Sequence, residues 1–231
     1  MIDMNASRAE LKARAKATLR GRYWTFLGAL LLAGLAGGIF SGITGISESY
    51  DSSSAVLLSL AGLLGLAVSL FVSIPLGLGL NRMYVRAAQG CRADIGELLY
   101  VYRSGNLLNA VLVSFLQGLF VFLWSLLFII PGIVKSFSYF MIDFLLAENP
   151  GLPQERAFEI SKQVMRGNRG KAFVLGLSFI GWYLLILLTL GIGTLFLAPY
   201  TQMTYTHFYL ELKERAIDAG IIRPEDNLYR V

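Results

Sequence analysis

The chain is poor in the residues that most chemistries need. It has a single cysteine, Cys91, so no disulfide can close within it and nothing points to an oxidising compartment. Its one histidine, His207, excludes a His-rich metal centre. Only 15% of the 231 residues are charged, against about 25% in an ordinary soluble domain. There is no G-x-S-x-G, H-E-x-x-H, Walker A or dinucleotide-binding glycine fingerprint. A convergent reactive set is therefore not legible, and the expectation is a non-enzyme with no cofactor and no metal. A cleavable leader is not evident either. The first apolar run begins at Tyr23 and is longer than a signal-peptide core.

What is abundant is apolar length. Hydrophobic residues make up 55% of the chain and the mean hydropathy is +0.61. Apolar runs recur at membrane-spanning length, for which about 20 residues suffice. Six read as spans: 23–46, 55–81, 106–130, 133–147, 172–190 and 194–212. They leave no room for a second large soluble domain. The expected fold is all-α, a six-transmembrane-helix bundle made of three helical hairpins, each preceded by a short amphipathic interfacial helix. Residues 1–22 read as a cytoplasmic basic amphipathic helix, 23–212 as the membrane domain and 213–231 as a cytoplasmic tail.

Charge sets the orientation. Net charge is +5, and nineteen of the twenty basic residues fall in 1–22, 82–105, 148–171 and 213–231, leaving only Lys135 outside. The loop TGISESYDSSS has two acids and no base. An even number of spans puts all four basic segments on one side, which the positive-inside rule makes the cytoplasm. The expected location is the cell membrane, with both termini cytoplasmic. The excess of positive charge then points to anionic lipid headgroups as partners rather than to nucleic acid. Small outer loops place a protein partner in the bilayer or the cytoplasm.

Three segments precede spans in a similar way. SRAELKARAKATLRGR opens with a Ser7/Glu10 capping box and lines Leu11, Ala15 and Leu19 on one face, which predicts a helix lying on the inner membrane surface. In PQERAFEISKQVMRGNRG, residues Ala157, Phe158, Ser161, Val164 and Met165 recur at helical spacing, and DIGELLYVYRSGN is a shorter version. LRGRYW, YRSGNLL and MRGNRGKAF each put Arg and Gly just before a span. The implied unit is surface helix, turn and hairpin, used three times in parallel orientation.

Polar and punctuating residues inside the spans are the functional candidates. Gly34, Gly38 and Gly42 give span one a small-residue face for close helix packing. Span two carries Ser69, Ser73, Gly77 and Asn81 on one face, with Pro75 as an expected kink. Pro131-Gly132 reads as the outer two-residue turn between spans three and four. Lys135, one turn inward, can snorkel to the outer headgroups. Asp143 lies eight residues further, roughly 12 Å at ~1.5 Å per residue. Its side chain is too short to snorkel, and a midplane carboxylate costs about 2.5–3.5 kcal/mol on insertion scales. Asp143 is thus either functional or an inner-interface acid solvated or paired with Arg82, Arg86 or Lys171. In span six, Tyr200, Thr204, His207 and Glu211 share a face behind Pro199 at the first turn. That face serves either interhelical hydrogen bonds or a polar pocket between spans two, four and six. The residues assigned to such a pocket are Asp143, Tyr139, Tyr200, Thr204, His207, Ser73 and Asn81.

PGIVKSFSYFMIDFLLAENP, AFEISKQVMRGNRGKAFVLGLSFIGWYLL and TLGIGTLFLAPYTQMTYTHFYLEL, with LKARAKATLRGRYW near the start, resemble the bacterial integral-membrane family catalogued as domain of unknown function 975. The most specific pieces are IIPGI, S-x-x-x-M-R-G, LSFIGW, and APY followed by FY. The resemblance implies a multi-pass membrane protein and no activity; Asp143 is not part of the shared pattern. It extends distantly to the membrane domain attached to some glycerophosphodiester phosphodiesterases, although no phosphodiesterase domain is present here. The leading functional expectation is a non-catalytic membrane scaffold or partner subunit. The alternative is a transporter or a protein that binds lipid or a hydrophobic small molecule in the polar pocket. A dry, tightly packed bundle favours the first, and a continuous polar cavity the second.

Overall fold

The computed structural model describes residues 7–45, 55–182, 186, 191 and 193–228. The loop 46–54 and most of the second half of span five lie outside these residues. The described chain is helical, with no strand among the described residues. It runs α1 (Arg8–Leu19), α2 (Tyr23–Gly45), α3 (Ala55–Ala88), a 3-10 turn (Ile95–Leu99), α4 (Tyr100–Arg103), α5 (Leu107–Leu127), α6 (Ile129–Ser138), α7 (Ile142–Glu148), α8 (Gln154–Met165), α9 (Arg169–Leu177) and α10 (Gly193–Asp218). Among the described residues, two helical stretches are long and apolar enough to cross a membrane, Leu107–Leu127 and Ile129–Glu148. Around their junction Phe122, Leu126, Leu127, Phe128, Ile129 and Ile130 are all exposed, an apolar surface far larger than isolated surface hydrophobics leave.

Span four differs from the expectation at both ends of its argument. The chain reverses at Phe128, whose backbone is extended, and Pro131-Gly132 lie inside the first turn of α6 rather than forming the turn. Proline is at home there because the first helical N–H groups have no intrahelical acceptor. Gly132 is a packing residue. A Cβ on it would overlap the Ser125 side chain and backbone of α5. The span is also not one helix: α6 ends at Ser138 and α7 begins at Ile142. The break is held from outside. Ser138 Oγ donates back to the Val134 carbonyl at 2.7 Å, and the buried Ser161 of α8 donates to the Ser138 carbonyl at 2.9 Å. Ser161 thus satisfies a carbonyl that the interrupted helix leaves over.

The two prolines within long helices share one device. Pro75 lies inside α3 and Pro199 inside α10. Each lacks the N–H that would bond the carbonyl four residues earlier. For Pro75 that is Phe71, whose carbonyl accepts the Tyr102 hydroxyl at 2.9 Å. For Pro199 it is Leu195, whose carbonyl accepts the Tyr23 hydroxyl at 3.0 Å. Tyr102 lies in α4 and Tyr23 opens α2, so in both helices the carbonyl that the proline leaves free is satisfied by a tyrosine from another helix.

α1 forms with the expected capping box, Ser7 Oγ accepting the Glu10 N–H at 3.2 Å and Glu10 accepting the Ser7 N–H at 2.6 Å. Its apolar face, Leu11, Ala15 and Leu19, does not face lipid. It is buried, and α1 packs on α10. Lys12 is drawn in as well, donating to the Ser178 carbonyl at 3.0 Å and lying 4.2 Å from the centre of the Phe179 ring. The protein offers α1 hydrogen-bond and ring partners that acyl chains lack. The sequence's tail is likewise no free tail. α10 continues to Asp218, and the chain then folds back to bury Ile222 and Leu228.

The four basic segments meet one another. Arg22 donates to the Cys91 carbonyl at 3.1 Å. Arg82 pairs with Glu97 at 2.8 Å and donates to the Ala147 and Glu148 carbonyls at 3.1 Å each, capping α7. Lys213 pairs with Glu148. Arg156 pairs with Asp226 through two bonds of 2.8 Å. That guanidinium holds the Asp226 carboxyl below the usual carboxylate range, although burial opposes it. The result is a charged layer beneath the helices, with the almost wholly buried α7 standing on it.

Candidate functional site

Asp143 is the second residue of α7, immediately after the helix break. A carboxylate in a first helical turn is favoured by the helix dipole, so its backbone position alone demands no function. Its surroundings are less ordinary. Among the described residues its side chain makes one polar contact, a long bond from Gln117 Nε2 on α5 at 3.4 Å. Arg82 and Arg86 are committed to Glu97, and among the described residues no base pairs with Asp143. Of the pairings with Arg82, Arg86 or Lys171 that would explain Asp143 structurally, none forms among the described residues.

Asp143 lines a cavity of about 810 Å³ between α3, α5, α6–α7 and α10. α3 brings Ser73 and Asn81, α5 brings Ser114 and Gln117, α6 brings Ser136, and α10 brings Gln202 and Tyr205. Phe137, Phe140 and Phe144 supply aromatic surface. Ser73 and Ser136 are exposed, while Asn81, Gln117, Asp143 and Gln202 are half-buried. The cavity therefore has an open end at the serines and a more enclosed end at the amides and the carboxylate. Gln202 Nε2 donates to Asn81 Oδ1 at 2.5 Å, tying α10 to α3 at that end. Two polar atoms of the α5 wall, Ser114 Oγ and Gln117 Oε1, are buried without a hydrogen-bond partner, an arrangement that costs about 1–3 kcal/mol per group when nothing compensates it.

The structure brings together Asp143, Ser73 and Asn81 of the expected pocket and separates the other four residues from it. Tyr139 packs edge-on against Phe158 of α8, with ring centres 5.1 Å apart. Tyr200 meets Phe179 in the same way at 5.7 Å. Thr204 is fully buried and bonds the Tyr200 carbonyl of its own helix at 2.8 Å. His207 Nε2 lies 3.0 Å from Thr18 Oγ1 of α1. The polar stripe of α10 thus faces α1, and the cavity takes the adjoining face with Gln202 and Tyr205. Pro75 sits beside Ser73 in the α3 wall, and Gly77 lies on the cavity surface, where an added Cβ would meet nothing within 4 Å. Gly34 of the span-one glycine series likewise meets nothing within 4 Å, and the side-chain positions of Gly38 and Gly42 lie outside the described residues. Among the described residues no three His, Cys, Asp or Glu side chains come together as a metal-holding group.

Residues 127–216 match the family model described as protein of unknown function (DUF975). The resemblance read from the sequence is shown over that segment, which contains the broken helix, Ser161, Asp143 and most of α10. The α3 and α5 walls of the cavity lie outside it. No curated protein and no solved structure matches the chain.

Proposed function

We propose that this protein is a multi-pass membrane protein that binds a small molecule or lipid in the Asp143 cavity, and carries or presents it without chemical change. The observation that carries this is a carboxylate that pairs with no base among the described residues, at the enclosed end of a cavity of about 810 Å³. Ligand sites commonly have volumes of about 300–1,000 Å³, apolar walls and a few placed polar groups. A broken helix beside a polar cavity is also how many transporters build a site at membrane depth. A dry bundle would have favoured a scaffold; the cavity favours binding. Among the described residues its lining holds no His, Cys, Lys or Arg, which favours binding over chemistry at Asp143.

Two further observations support the membrane setting. The basic segments contact one another through Arg22, Arg82, Arg156 and Lys213, which is what a single cytoplasmic face requires of them. Both termini then belong to that face, where Arg8, Lys16 and Arg20 remain exposed to anionic headgroups.

Native mass spectrometry of the protein released gently from its membrane tests the reading. The wild type is expected to carry a small molecule or lipid at fixed stoichiometry, and Gly77→Trp, which fills the cavity from a position with open space, is expected to lose it. A bare wild type, or equal loading of both proteins, would contradict the assignment.

A further inference from the structure

The cavity's own chemistry narrows the ligand class, and this step rests on the binding function just proposed. Among the described residues its lining has one carboxylate and no basic side chain, and Ser114 Oγ and Gln117 Oε1 are buried behind it without a partner. Asn81 Oδ1 is already taken by Gln202, and Ser136 Oγ donates to the Ile133 carbonyl at 2.8 Å, which leaves its lone pairs as the free function. The remaining wall is apolar, with Ile74, Leu78 and Leu80 of α3 beside Phe137, Phe140, Phe144 and Tyr205. Phe140 packs 5.4 Å from Phe144 and 5.5 Å from Tyr205, measured between ring centres. An anion would meet Asp143 with no compensating charge. A neutral apolar ligand would leave Asp143 desolvated and unmatched. An ammonium gives the carboxylate its counter-ion, and an apolar group attached to it suits the rest of the wall.

We infer that the cavity takes an organic ammonium bearing an apolar group, with the cationic nitrogen at Asp143 and the apolar part beside Phe140 and Phe137 toward the open end. Gln117, now 3.4 Å from the carboxylate, serves as the position from which a built-in cation can replace the ligand. Gln117→Lys places an ammonium beside Asp143 within the chain itself.

The test uses the full-length protein in lipid nanodiscs and two probes of matched shape, phenylbutylamine and phenylbutanol, with binding followed by calorimetry at neutral pH. The amine is expected to bind at least tenfold more tightly than the alcohol. Asp143→Asn is expected to erase that preference, and Gln117→Lys to abolish amine binding while leaving the protein folded, as judged by its melting transition. Equal binding of amine and alcohol to the wild type, unchanged in Asp143→Asn, would overturn the ammonium class and leave the binding cavity standing. Amine binding that survives both substitutions and Gly77→Trp would place the amine elsewhere and overturn the inference. Absence of binding by either probe, together with a bare wild type in native mass spectrometry, would overturn the binding function itself.

Discussion

Replacing Lys213 by Met is expected to lower the melting temperature of the purified protein by roughly 6–20 °C, from about 3–5 kcal/mol for stranding a buried charge and about 2–4 °C per kcal/mol in a chain of this size. Lys213 is 3% exposed and its partner Glu148 12% exposed. With Lys213 gone, Glu148 keeps its charge, its burial and no countercharge at that oxygen. The damage spreads because Glu148 closes α7, and the backbone carbonyls of Ala147 and Glu148 are the ones Arg82 caps. Removing both partners should behave differently. A Lys213→Met, Glu148→Leu double variant leaves no buried charge and is expected to recover most of the loss, since apolar replacement of a buried pair is often neutral or stabilising. Thermal melts of the two variants side by side check this. A single variant that melts within about 2 °C of wild type, less than 1 kcal/mol on the same scale, would show that the pair contributes little.

The second large effect separates two glycines two residues apart. An alanine Cβ at Gly79 would overlap the backbone of Leu98, at its carbonyl oxygen, carbonyl carbon and Cα. Backbone atoms cannot rotate away as a side-chain tip can, so the 3-10 turn that carries Leu98 must shift. Glu97 sits on that turn and is the partner of both Arg82 and Arg86. Gly79→Ala is therefore expected to destabilise by about 1–3 kcal/mol, the usual cost of overpacking. Gly77→Ala meets open space and is expected to be neutral or to stabilise by about 0.5–1 kcal/mol, because alanine is the better helix former. Chemical or thermal denaturation of the two variants should show opposite signs. Equal effects would mean that α3 does not press on the 3-10 turn as described.

How much of this was legible follows from what local sequence can encode. The starts of α2 and α3 and most helix limits fall within a few residues of the spans read from apolar length, because apolar runs and Arg-Gly punctuation are local signals. The break at residues 139–141 was not legible. SFSYFM has neither glycine nor proline, and the interruption depends on Ser161, more than twenty residues away, donating to Ser138. Pro131-Gly132 misled for a related reason. Proline fits a first helical turn as well as it fits a reverse turn, and only the contact with Ser125 reveals that Gly132 is needed for packing. In the cavity, Asp143, Ser73 and Asn81 stood out as polar atoms in apolar context. Ser114, Gln117 and Gln202 were missed although they carry the same signal, because the stronger stripe on α10 drew the pocket toward His207. That stripe is consumed by α1, whose apolar face looked suited to lipid until its contact with α10 was seen.

The Asp143 cavity is proposed to be open and hydrated within a membrane-embedded bundle. A cysteine placed at Gly77, where an added side chain meets open space on the cavity surface, tests this in a Cys91→Ser background through its reactivity toward a small water-soluble thiol reagent, with the protein in nanodiscs so that both faces are accessible. Modification is expected at a rate within about tenfold of a cysteine at the exposed Ser73, slowed when Gly118→Trp fills the cavity. A cysteine at Gly77 that stays unreactive while the one at Ser73 reacts would describe a dry, closed bundle and contradict the open cavity.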